Sequence, residues 1–279
     1  MPGIRIITDS ACDIPAELVA SSGITVVPLS IRFGDEEFTD LVDLSPADFW
    51  AKCKVSSNLP ETAAPSPGSF KAAYDAAKDA GADGVVCITI SSELSGTYQA
   101  AVAAADATEG FDVRVIDSQA VTMAQGLLVL SAADRANSGG SIDDVLATID
   151  ANINRVGVLG TLDTLEHLKK GGRVSGAQAL LGSVLAIKPM LQLEGGKVTE
   201  AGRTRTRAKA IAQLAALAAE RAPFAKLAVV HGAADDLNDL LAKLEGIETD
   251  APLIVGDIGS VVGTHGGPGI IGICWLARA

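Results

Sequence analysis

The sequence predicts an α/β protein of two α/β domains, the first on a mostly parallel, doubly wound sheet and the second on a mixed sheet. Three observations carry this. Short aliphatic runs alternate with Ala-rich segments through the first half, the pattern of strands and crossover helices. Past residue 155 the rhythm changes, and Gly195-Gly196 between two extended arms reads as a hairpin. The core material is aliphatic: apolar residues make up 48% of the 279 and aromatics only 4%, with a mean hydropathy of +0.32. The domains are set at 1–155 and 156–279.

Each element has its own signal. "GIRIITDS" is a first strand, and "DIPAELVASSG" a helix closed by Gly23. "ITVVPLSIRFG" is extended, with Pro28 making it an edge or bent strand. Ser45-Pro46 and Ser66-Pro67 each supply a cap and a first helical proline, opening "SPADFWAKC" and "SPGSFKAAYDAAKDAG". Strand "GVVCITI", helix "GTYQAAVAAADA", strand "DVRVID" and helix "GLLVLSAADRANSGG" follow. After a helix opened by Ser141 come strand "VGVLGTL", the short helix "TLEHLKKGG" and the hairpin "VLAIKPMLQLEGGKVTEAGRTRTR". Helix "AKAIAQLAALAAERA", strand "KLAVVHG", helix "DDLNDLLAKLEG" and strand "PLIVGDIG" precede a final strand, "IIGICWLARA".

Composition excludes several functions. The formal charge is −12, with 22 Lys and Arg against 34 Asp and Glu, a surface that repels nucleic acid and anionic lipid. No apolar run approaches the ~18 residues of a membrane span, and the first residues lack the apolar stretch of a secretory signal. The chain is expected to be complete and cytoplasmic. Cys12, Cys53, Cys87 and Cys274 are scattered, the pattern of small hydrophobes in a reducing compartment. There is no GxxxxGK[ST], GxSxG or HExxH, so no nucleotide cradle, nucleophile elbow or metal is expected, and no cofactor. A literal GxGxxG at Gly267, Gly269 and Gly272 has too little chain after it for a dinucleotide fold.

Three polar spots fall at boundaries between elements. Thr62 precedes a proline-defined turn. Ser95 reads as the N-cap of a helix, with the backbone N–H groups of Gly96, Thr97 and Tyr98 left free for an anion. His265 stands in "GTHGGPG", a glycine loop where backbone and ring can both approach a ligand. Asp9 and Ser10 end the first strand, at the ligand-facing edge of a parallel sheet. A capped helix explains Ser95 equally well, and a turn explains Thr62. His167, within a helix, and His231, at a strand end, read as structural or surface residues.

"ITDSACDIP", "TAAPSPGSF", "ISSELSGTYQAA", "VIDS", "KKGGRVS", "IKPMLQL", "RTRAKA" and "GTHGGPGIIG" occur in this order over residues 4–275. Together they resemble the DegV family, fatty-acid-binding proteins that include the binding subunit of bacterial fatty acid kinase. The resemblance implies a long-chain fatty acid, about C16–C18, held between the two domains. Its carboxylate would lie on Thr62, Ser95 and His265, with Ser10, Gly96 and Thr97 as further contacts. It also implies a separate ATP-dependent kinase subunit as partner, engaged through Arg205 or Arg207, that converts the bound acid to an acyl phosphate. This chain would then be a lipid carrier without catalysis of its own or stable membrane insertion. It departs from the family pattern at Ala63-Ala64, where a Ser-Gln pair is usual, and at Ser69, where an acid is common. Two other readings remain open: a passive lipid reservoir, and a hydrolase with Ser95 as nucleophile, His265 as base and Asp9 or Asp257 orienting the imidazole.

Overall fold

The computed structural model describes residues 3–174, 177 and 187–279. In the first half the order is β1 (Ile4–Asp9), α1 (Ala16–Ser22), β2 (Thr25–Val27), β3 (Ser30–Phe33), β4 (Glu36–Thr39), α2 (Pro46–Val55) and β5 (Glu61–Ala63). Then come α3 (Pro67–Asp79), β6 (Gly84–Thr89), α4 (Thr97–Asp106), β7 (Val113–Asp117), α5 (Thr122–Asn137) and α6 (Ile142–Asn152). Strands β2-β1-β6-β7 form a four-stranded sheet in which every pairing is parallel. All six residues of β6 are buried, as a strand with helices on both faces requires. Phe70 and Tyr74 of α3 and Ala101 and Ala104 of α4 cover one face; α5 and α6 cover the other.

The second half holds β8 (Val156–Thr161), α7 (Glu166–Lys170), β9 (Lys188–Glu194), β10 (Lys197–Thr204), α8 (Arg207–Arg221) and β11 (Phe224–His231). It closes with α9 (Leu237–Leu244), β12 (Ile254–Asp257), α10 (Ser260–Gly266) and β13 (Ile271–Ala277). Its six strands are ordered β10-β9-β8-β13-β11-β12, antiparallel throughout except for β11 with β12. The β9–β10 hairpin turns at Gly195 and Gly196, both at positive φ (55° and 78°), as a two-residue primed turn demands. Residues 184–186, placed by the sequence in the first arm, lie outside the described residues. Ile211, Leu214 and Leu240 of α8 and α9 pack on one face of this sheet.

Helix α5 lies between the two large sheets, touching β1 on one side and β8 and β13 on the other. Thirteen of its sixteen residues are buried, which explains why "TMAQGLLVLSAADRAN" is apolar all round rather than along one stripe. Among the described residues no helix is long and apolar enough to cross a membrane.

The structure departs from the sequence reading in two places. "ITVVPLSIRFG" is two strands: Pro28 ends β2, and β3 turns away into a separate antiparallel sheet, β4-β3-β5. That sheet was not anticipated, because "EEFT" and "ETA" carry little β pattern; pairing with β3 makes them strands. Second, His265 does not stand in a glycine loop but in the last turn of α10. The glycines serve close packing: a Cβ on Gly263 would come within 2.6 Å of Phe49 and 2.8 Å of Trp50, and one on Gly266 within 2.3 Å of Ile270.

Candidate functional site

Thr62 is the central residue of β5, opposite Ile31 of β3, and the turn through Pro65 to the Ser66 cap of α3 follows it directly. Ser95 lies in the bend between β6 and α4. There Ser91 accepts from the N–H groups of Leu94 and Ser95, and its own hydroxyl donates to the Gly196 carbonyl at 2.8 Å, tying the hairpin tip to the first half. His265 comes from α10, whose start is fixed from the first half by the Gly259 N–H donating to Asp13 Oδ1 at 2.9 Å. Three segments far apart in sequence thus meet. Thr62 Oγ1 stands 3.0 Å from His265 Nε2, and Thr62, Ser95 and His265 all line one chamber.

The rest of that chamber is almost wholly apolar. Leu29, Ile90, Val121, Leu162, Leu191 and Ile270 are among its walls, drawn from both halves of the chain. Ile90, just past β6, and Val121, beyond β7, place it at the C-terminal edge of the parallel sheet, where such sheets take ligands. Three further polar side chains line it: Thr122, Gln192 and Arg173. Arg173, beyond the glycine turn that ends α7, donates from Nε to the Leu94 carbonyl at 3.0 Å and from a terminal nitrogen to Gly171 O at 2.5 Å. It braces the Ser95 bend and brings a permanent charge beside His265. In the sequence it is hidden, because "KKGGRVS" reads as a solvated basic turn; Ser175 of that segment lies outside the described residues.

Burial, with Arg173 and His167 adding to it, pushes His265 down to about 4, so its imidazole is neutral at physiological pH. Its Nδ1 is enclosed and has no hydrogen-bond partner among the described residues. The ring fits because its neighbour is glycine: a Cβ on Gly171 would stand 2.1 Å from Nδ1. Donor capacity here comes from hydroxyls and a neutral N–H, and positive charge from Arg173.

Other anticipated contacts lie elsewhere. Gly96, not Ser95, is the N-cap of α4; Ser95 Oγ instead pairs with Thr97 Oγ1 at 2.8 Å and accepts from the Thr97 N–H at 3.3 Å. Thr97 is buried, Gly96 is on the surface, and neither lines the chamber. Ser10 is also outside it, buried and accepting from the Leu29 N–H at 3.1 Å. Ala63 and Ala64 are exposed. Arg207 is bound within the chain, bidentate to Asp236 at 2.7 and 3.0 Å, whereas Arg205 is exposed. Nor do the described residues assemble a hydrolytic triad. The His265 imidazole pairs with Thr62 rather than Ser95, buried Asp9 accepts from the N–H groups of Ala11 and Ile90, and exposed Asp257 faces His231 at 3.7 Å. Among the described residues no cluster of three or more His, Cys, Asp or Glu is set to hold a metal ion.

Known proteins match the chain along its whole length. The family model described as "Uncharacterised protein, DegV family" matches residues 3–278. A DegV domain-containing protein of Streptomyces coelicolor is 38% identical over 99% of both chains. The structure of a DegV family protein from Thermus thermophilus, described for its fatty acid binding, superposes with a TM-score of 0.88 at 33% identity, covering 99% of this chain and 100% of the other. A stearic-acid-binding protein from Eubacterium ventriosum superposes with a TM-score of 0.87 at 26% identity, over 98% of each chain. From its motifs, its fold and these matches along its whole length, the chain belongs to the DegV family.

Proposed function

We propose that this protein binds a long-chain fatty acid, tail in the apolar chamber and carboxylate on Thr62, Ser95 and His265, between lobes 1–155 and 156–279. The observation that carries the reading is a mostly apolar chamber lined by those three side chains and Arg173, with Thr62 and His265 in contact at 3.0 Å. Burying a methylene is worth roughly 0.8 kcal/mol, so some fifteen of them contribute on the order of 12 kcal/mol before ordering costs. The tail therefore sets affinity. The head group sets orientation, each charge-assisted bond adding about 1.5–3 kcal/mol. The chamber encloses about 130 Å³, below the roughly 300–1,000 Å³ usual for ligand pockets, so a C16–C18 tail must spread the Leu, Val and Ile walls. Relatives that bind fatty acids, one of them stearate, support this ligand class.

The bound acid is then presented to a separate ATP-dependent kinase, which phosphorylates the carboxylate to an acyl phosphate. This step rests on the family resemblance of the motifs. Arg205 is the better docking residue, because Arg207 is already paired with Asp236. The protein works as a carrier in the cytoplasm.

Organic extraction of the purified protein followed by mass spectrometry is expected to release a C16–C18 fatty acid. A protein that carries no lipid and takes up none from a palmitate solution refutes the reading. Adding the kinase subunit, ATP and Mg²⁺ separates carrier from reservoir: a carrier yields acyl phosphate.

The protonation of His265 makes a second prediction. A histidine titrating near its ordinary value would lose its attraction for a carboxylate as pH rose through about 6.5. With His265 already neutral and Arg173 permanently charged, laurate affinity is expected to stay within about twofold from pH 6 to 8. Titration calorimetry at several pH values checks this; a steep fall in affinity across that range would mean a cationic imidazole in the complex.

A further inference from the structure

Helix α10 cannot cap its own start. Its N-cap is Gly259, which has no side chain to offer, and the cap comes from the first half of the chain. Asp13 Oδ1 takes the Gly259 N–H at 2.9 Å, and Asp40, fully buried after β4, stands beside Ser10 and Ser260, the first residue of the helix. At its other end α10 meets the first half again, through the 3.0 Å contact of His265 with Thr62. The grip at Asp13 holds a carboxyl without a countercharge. Asp13 as a residue is half-buried, but its Oδ2 is enclosed and has no hydrogen-bond partner among the described residues. The same is true of both Asp40 oxygens and of the Thr122 hydroxyl. The titratable groups around Asp13 are Asp9 and Cys12 on its own segment, Asp40, Asp257 at the end of β12 and Cys274 of β13; none of these is a cation. Burial outweighs the nearby Thr122 hydroxyl and the Gly259 N–H and, with Asp40 and Asp257 adding to it, raises Asp13 to about 8. Burial raises Asp40 as well.

We propose that Asp13 is a positioning residue for fatty-acid binding, which fixes α10 from the other half of the chain as a neutral acid and releases it on ionisation. The inference rests on the fatty-acid reading above. A neutral carboxyl fits this seam, its carbonyl oxygen accepting from Gly259 and its O–H turned to Thr122. A carboxylate there has an enclosed oxygen, no cation and a second carboxyl close by. It draws in water, and the seam opens at Gly259. His265 stands on the same helix, about 9 Å further along its axis, and moves off Thr62 with it.

Asp13→Asn tests this, because the amide is a permanent copy of the neutral acid. It keeps an acceptor for Gly259 and a donor for Thr122, and Asn tolerates the left-handed backbone here, where φ is 50°. Laurate, ionised throughout, is titrated by calorimetry from pH 6 to 9.5. Wild-type affinity is expected to fall about tenfold between pH 7 and 9.5, with no more than about twofold of it by pH 8, where half of the protein keeps the proton. Asp13→Asn is expected to match the wild type at pH 7 and to hold that affinity to pH 9.5. The unfolding midpoint gives a second readout, without lipid. Asp13 loses its proton near pH 4 when unfolded and near pH 8 when folded, so wild-type stability falls as pH rises through that window. The Tm of Asp13→Asn relative to wild type is therefore expected to climb from pH 4 to 8 and then level off. A wild-type affinity that is flat to pH 9.5, an equal fall in Asp13→Asn, or a Tm difference indifferent to pH overturns the proposal. Failure of the fatty-acid reading shows separately, as wild-type protein that binds no laurate while the Tm difference still grows with pH.

Discussion

Replacing Gly171 with alanine is expected to lower palmitate affinity by roughly 10- to 100-fold, the value of one to two charge-assisted hydrogen bonds, with little change in stability. The backbone at this position tolerates a side chain: φ is −69° and ψ −13°, ordinary right-handed geometry at the end of α7. The conflict is with the ring. An alanine Cβ would stand 2.1 Å from His265 Nδ1 and 2.8 Å from Cε1, with the His167 carbonyl at 3.3 Å closing the other side. The imidazole must swing away, and its 3.0 Å contact with Thr62 goes with it. His265→Ala is expected to produce a loss of similar size. The informative measurement is the double variant: if Gly171 acts only by making room for the ring, Gly171→Ala costs nothing further once the ring is gone. Additive losses would show that Gly171 supports binding by some other route.

Trp50→Ala is expected to destabilise the protein by about 3–5 kcal/mol, measured by denaturant unfolding. Trp50 is 7% exposed and wedged between the two halves of the chain. Its Nε1 donates to the Ile258 carbonyl at 3.0 Å, and its ring lies so close to Gly232 and Gly263 that a Cβ on either would approach within 2.1 and 2.8 Å. Phe49 stands edge-on to it at 4.8 Å between ring centroids. Truncation opens a cavity that backbone on both sides cannot fill and leaves a buried carbonyl unpaired. Trp50→Phe keeps most of the packing and is expected to cost only about 1–3 kcal/mol, mainly for that carbonyl. Because Gly263 belongs to α10, Trp50→Ala is also expected to weaken palmitate binding by loosening the helix that carries His265. A cost below about 1 kcal/mol would mean that α2 and α10 are held together by other contacts.

Much of the fold was legible in advance. Ser45-Pro46, Ser66-Pro67 and Ser141 do cap α2, α3 and α6, and the Gly195-Gly196 turn lies where its φ requirement put it. These signals are local: a hydroxyl within reach of its own helix end, or a turn only glycine makes cheaply. The errors share the opposite cause. A heptapeptide with four glycines has poor helix propensity, so "GTHGGPG" read as a loop; packing against Phe49, Trp50 and Ile270 holds its first part in α10. "EEFT" and "ETA" became strands through pairing with β3. Arg173 escaped notice because nothing in "KKGGRVS" tells that one basic side chain turns inward to Leu94 while its neighbour Lys170 stays at the surface.

The sequence by itself determined the alternation of strands and helices, the hairpin and the family motifs, and it singled out Thr62, Ser95 and His265, which line the chamber. Each depends on residue type and on spacing over a few positions. Only the tertiary structure decided that Thr62, Ser95 and His265 line one chamber, that Arg173 joins them, that Ser10 and Thr97 do not, and that the imidazole is uncharged. Desolvation and convergence are properties of neighbours brought from distant parts of the chain, and those neighbours exist only once the sheets have closed on α5.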